Sequence, residues 1–172
     1  MLHFSRFLSA VAAVALLAPA SVQAADSLYS FNGSRRLTPT EAKMFGPEAG
    51  KFRYDSRMLN AAKIAQSRAR SRSTAKCWRY VKQALLAAGV VDSYPKTVYA
   101  KQAAGELTKS YGFKRLKMRD PNHAPLGSVL VYGGRDAGHI EIRTTRGYVS
   151  DFVSKRPYSR RPLLGIFVKP HA

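Results

Sequence analysis

The chain has 172 residues, with 29 Lys or Arg against 10 Asp or Glu, a formal net charge of +19. That length holds about one domain with a core of its own. The single cysteine excludes an internal disulfide, and the charge excess makes polyanions the natural partners.

The first segment reads as an export signal. Arg6 supplies the positive start, and Phe7 to Ala18 is apolar. Pro19, Ala20 and Ser21 break that run, and Val22-Gln23-Ala24 is a small-residue cleavage site. The apolar run is short for a bilayer span, and no later segment is long and apolar enough to make one. Residues 1–24 are therefore expected to be removed, leaving a charge near +18 and a periplasmic or extracellular location. In that setting the expected polyanion is peptidoglycan or another anionic envelope polymer, and nucleic acid is disfavoured. The plain alternative is a solvated basic surface.

Residues 25–53 read as an irregular extension with one short helix. Thr38 caps it, Pro39 takes the first turn, Glu41 completes a capping box and Gly46-Pro47 ends it. A second helix is predicted from Asp55 to about Arg70, where Met58, Leu59, Ala62, Ala65 and Ala69 recur at helical spacing. Its far face carries Arg57, Lys63, Arg68, Arg70 and Arg72. A third helix opens near Cys77 with Thr74 as N-cap; Trp78, Val81, Leu85 and Ala88 form its stripe and Gly89 stops it. A fourth runs from Thr97 to about Ser110, before Tyr111-Gly112.

The period then changes. Ser128 to Tyr132, His139 to Thr144, Tyr148 to Val153 and Leu163 to Lys169 read as strands, with a tight turn at Thr145-Arg146-Gly147. Helices before strands predict an α+β fold with an antiparallel sheet, in a domain covering 54–172.

Cys77 carries the most chemistry. In the first turn of a helix, unpaired N–H groups and the macrodipole favour negative charge, and Lys76 and Arg79 lie beside it. A thiolate there is a nucleophile; the plain alternative is a buried, inert cysteine packed with Trp78. His139 opens a strand after Gly138. A hairpin centred on Thr145 puts Asp151 across from His139, where a carboxylate can hold one ring nitrogen while the other faces the thiol. Glu141, two residues from His139 on the same face, competes for that role or contacts substrate. Metal binding by Cys77, His123, Asp136 and His139 has less support, because their spacing matches no compact zinc pattern. No Gly-x-Ser-x-Gly occurs.

Cys77-Trp78-Arg79-Tyr80-Val81 opening a helix, Pro125-Leu126-Gly127-Ser128-Val129-Leu130-Val131-Tyr132, and Gly138-His139-Ile140-Glu141-Ile142 together resemble the NlpC-type and CHAP cysteine peptidases and amidases. The likeness covers roughly residues 73–153. It implies a papain-like fold with no cofactor. It also implies hydrolysis of amide bonds in peptidoglycan peptides, with Cys77 as nucleophile, His139 as base and acid, and Asp151 as third residue, since that group commonly lies about twelve positions after the histidine. Trp78 and Glu141 are then candidates for substrate contact. The chain departs from the NlpC-type pattern at the nucleophile, where Lys76-Cys77-Trp78-Arg79 replaces Asp-Cys-Ser-Gly. Two other readings stay open: a non-enzymatic cationic envelope-binding protein on the same fold, and a thiol acyltransferase.

Overall fold

Among the described residues, three α-helices precede the sheet. The computed structural model describes residues 54–171; the signal-like segment and the helix expected at Thr38 lie outside them. Helix α1 spans Arg57–Arg68. Asp55 precedes it and accepts the Arg57 backbone N–H at 2.9 Å, satisfying a donor that helix starts leave free. Met58, Ala61, Ala62 and Ala65 are its buried stripe. Helix α2 spans Cys77–Ala87 and buries Trp78, Val81, Ala84 and Leu85. Helix α3 spans Ala103–Tyr111, is entered through a 3-10 turn at Ala100–Gln102, and stops at Gly112. Its start falls later than Thr97 because Glu106 reaches back to the Thr97 N–H and hydroxyl and holds that residue outside the helix.

Among the described residues, six strands form one sheet in the order β1-β6-β2-β3-β4-β5. They are β1 Lys114–Arg115, β2 Val129–Tyr132, β3 His139–Thr144, β4 Gly147–Val149, β5 Val153–Ser154 and β6 Leu163–Val168. Every pairing is antiparallel. Helices α1 and α2 pack on each other and on β3. Met58, Leu85, Leu130, Ile140, Ile142 and Ile166 are all fully buried in the core. The strand pattern does not predict β1, a two-residue edge piece of two cations.

One strand departs from expectation. Thr144 pairs with Gly147, Arg143 with Tyr148 and Ile142 with Val149, so the turn is only Thr145-Arg146. This shifts every partner by one residue from a hairpin centred on Thr145, and such a slip exchanges the two faces. Gly147 permits the tight turn: its φ is +123°, and a Cβ there would meet the Ser154 carbonyl oxygen at 2.2 Å. The strand expected to reach Val153 stops at Val149, and β5 folds back on β4. Asp151 lies at the tip of that reversal and not across from His139.

Gly138 sets where β3 begins. At φ +77°, its Cβ would lie 2.5 Å from the Tyr132 carbonyl oxygen and 2.8 Å from the Lys101 nitrogen. Gly138→Ala should therefore destabilise the fold by about 2 kcal/mol or more, combining the left-handed penalty with a backbone clash. Denaturant unfolding should show a lower midpoint at unchanged slope; an unchanged midpoint would mean that the 132–139 hairpin relaxes freely.

Candidate active site

The segment between α1 and α2 is built around a buried carboxylate. Asp151 is 0% exposed. Its Oδ2 accepts the Thr74 N–H at 2.5 Å, the Thr74 hydroxyl at 2.9 Å and the Lys76 N–H at 3.3 Å. The Ser150 hydroxyl donates to Oδ1 at 3.1 Å. Burial alone would raise the acid's pKa; the donors from Thr74 and Lys76 outweigh it and hold the pKa below the usual carboxylate value. Thr74, expected to cap the helix, is thus used to bind Asp151. Ala75, between the bonded amides, has φ +57°, a left-handed conformation that an alanine adopts only when its neighbours enforce it.

This anchored segment delivers Cys77 as the first residue of α2, half-buried, with Lys76 in the N-cap position. Helix starts leave the first amides without intrahelical partners, so the thiol sits beside free N–H donors at the positive end of a dipole.

His139 faces it from the start of β3. The Cys77 side chain lies near enough to the imidazole to favour its charged form, and Nε2 lies 3.5 Å from Glu141 Oε2. Glu141, 2% exposed, is itself held: Oε1 accepts the Tyr132 hydroxyl at 2.7 Å and the Tyr158 N–H at 3.1 Å. Burial and the Glu141 charge push the Tyr132 phenol far up, so it stays a neutral donor. The Tyr158 ring stacks on the imidazole at 4.3 Å between centroids. Arg161 donates to the Gly138 carbonyl and the Tyr158 hydroxyl, both at 3.3 Å, and pairs with Asp136. Burial would lower the pKa of His139, but hydrogen bonds to Cys77 and Glu141, with their charges, raise it to about 9.

Cys77, His139 and Glu141 are therefore brought together. Asp151 is not: the one-residue register shift and the 150–152 reversal carry it to the loop before Cys77, so its expected place beside His139 is corrected. Trp78 is 4% exposed and donates its indole N–H to the Thr97 carbonyl at 3.1 Å. It packs in the core, which corrects the expectation that it contacts substrate. His123 pairs with Asp120 and Asp136 with Arg161. Among the described residues, no three His, Cys, Asp or Glu side chains converge to hold a metal. Sequence reasoning missed Tyr132, Tyr158 and Arg161. Tyr132 was findable, since a short hairpin places it across from His139; the other two lie in a loop without periodicity.

No protein-family model matches the sequence, and no curated protein matches it. Among solved structures, a chain from the type VI native effector–immunity complex Tae3–Tai3 of Ralstonia pickettii superposes with TM-score 0.54 at 23% identity, covering 66% of this chain and 98% of that one. At that identity the likeness shows the shared fold, α+β and papain-like.

The two pKa shifts define a window of stability. His139, raised from 6.5 to about 9, contributes stability that is complete below pH 6.5 and lost as pH rises through about 9. Asp151, lowered from 3.8, contributes stability present above pH 3.8 and lost as pH falls through its folded value. Denaturant midpoints should be highest between these limits. In Cys77→Ala the alkaline loss should move to lower pH, because the thiol no longer supports the imidazolium. A wild-type profile that is flat from pH 6.5 to 9 would contradict the assignment.

Proposed function

We propose that this chain is an exported cysteine hydrolase that cleaves amide bonds in peptidoglycan peptides. The carrying observation is the placement of Cys77, first residue of α2, near an imidazole whose Nε2 faces a buried glutamate held by Tyr132 and the Tyr158 amide. The fold shared with a chain of an effector–immunity complex supports the reading, as does the basic surface, which favours an anionic envelope. Residues 1–24 act as the export signal.

In this mechanism the Cys77 thiolate attacks the amide carbonyl carbon, forming a C–S bond. The oxyanion is met by the Cys77 backbone N–H at the helix start. The His139 imidazolium gives its proton to the leaving nitrogen as the C–N bond breaks, leaving a thioester. His139 then takes a proton from water, which attacks the thioester; the acid is released and Cys77 is restored. Glu141 holds the imidazole orientation and supports its charged form. Asp151 is a positioning residue that fixes the helix carrying Cys77.

Digestion of purified sacculi, with products identified by mass spectrometry, tests the reading. Wild-type protein should release new amine and carboxyl termini at peptide amides. Cys77→Ala should release none, and Glu141→Gln should lower kcat by roughly a hundredfold, the usual scale of a general acid–base contribution. Intact sacculi after prolonged incubation with folded wild-type protein would sink the proposal.

A further inference from the structure

The residues that flank Cys77 in the chain help to line a concave site. Arg68, Arg70, Lys76, Arg79, Tyr80 and Gln83 line a cavity of about 400 Å³ between the C-terminus of α1 and the first two turns of α2. Four of the six are cations, and no carboxylate lines it. Among the described residues, Arg68, Lys76 and Arg79 have no ion-pair partner.

The cavity is built, not a chance run of charge. The Arg70 N–H donates to the Asp151 carbonyl at 2.8 Å, and Arg70 pairs as an isolated bridge with Phe152. Its guanidinium donates to the Tyr80 hydroxyl. Lys76 is fixed from the other side by the Asp151 carboxylate. One residue thus sets the backbone of two of the cations and the approach to Cys77. On α2, Lys76, Arg79, Tyr80 and Gln83 fall at i, i+3, i+4 and i+7, a single helical face. Lys76 and Arg79 also stand at the positive end of the helix with no acidic residue in its first turn. The dipole disfavours cations there, so their placement breaks a local rule with no structural gain.

We propose that this cavity is a subsite for the free carboxylates of the peptide substrate, placed beside the scissile amide. The choice of a peptide rests on the hydrolase reading; the oxyanion chemistry rests on the cavity. Guanidinium forks match carboxylates in two-point contact, and Tyr80 and Gln83 add neutral donors. Lys76 and Arg79 flank Cys77 in the chain, with Cα atoms ~3.8 Å away and within one helical turn, so the cavity lies beside the segment that carries the thiol.

The test uses the full chain with Cys77→Ala, titrated with a tripeptide carrying a glutamate side chain and a free C-terminus. Backbone amide shifts should saturate and map to residues 68–83. The same peptide with both carboxylates amidated should not bind. In Arg68→Gln/Gln83→Ala, two exposed positions away from the reacting groups, affinity should fall roughly tenfold or more, and KM for sacculus hydrolysis should rise with kcat little changed. Equal binding of the amidated peptide, shifts that map elsewhere, or binding of inorganic phosphate without the peptide would overturn the assignment. Hydrolysis with unchanged KM in the double variant removes this subsite and leaves the hydrolase reading intact. Saturable, carboxylate-dependent binding here by a protein that hydrolyses nothing keeps an anion site and removes the hydrolase.

Discussion

The buried carboxylate of Asp151 is the constraint on which the geometry of the candidate site depends. A carboxylate removed from water is costly unless its oxygens are filled by donors, and here the donors are the amides and hydroxyl of the 74–76 segment. Satisfying it fixes the path of that segment through a left-handed Ala75 and so fixes where α2 begins. With Thr74 as cap, its hydroxyl would take up an amide of the first turn; here that hydroxyl is given to Asp151 and the helix begins at Cys77. Beginning at Cys77, the helix offers the thiol its positive end and unpaired N–H groups. The same residue, through its main-chain oxygen, sets Arg70 and one wall of the cationic cavity.

A second buried acid does the corresponding work for the imidazole. Glu141 is closed on one oxygen by Tyr132 and the Tyr158 amide, and its other oxygen lies toward His139. The two acids thus divide the labour: one orders the helix that begins at Cys77, the other the strand that begins at His139. Tyr158, stacked on the ring, and Arg161, on the Gly138 carbonyl, close the remaining freedom of His139. The consequence is an imidazole that stays charged near neutrality despite burial, the state needed to stabilise a thiolate and to protonate a leaving amine.

Much of this was legible from local pattern. The apolar stripe of α2, the turn glycines and the alternation of β3 place Cys77 and His139 at the starts of their elements, and Glu141 follows from the two-residue period of a strand. What local pattern misses is register. Whether Asp151 or Glu141 meets His139 turns on a single residue in the 144–147 turn, which is settled by the backbone of Gly147 and not by any alternation. The binding of Asp151 to Thr74 joins residues 77 positions apart, and Tyr158 and Arg161 come from an irregular loop. Trp78 misleads for another reason: an aromatic beside a nucleophile looks like a substrate contact, yet its helical position turns it into the core.

The account stands on one pair, the Cys77 thiol and the His139 imidazole acting together in the folded protein. Its most direct measurement is the rate of Cys77 alkylation by iodoacetamide as a function of pH, in native wild-type protein and in His139→Ala. The account predicts fast native alkylation with a pH profile that moves to higher pH when the imidazole is removed, since the thiolate loses its partner. Alkylation only after unfolding, or the same profile in both proteins, would contradict it.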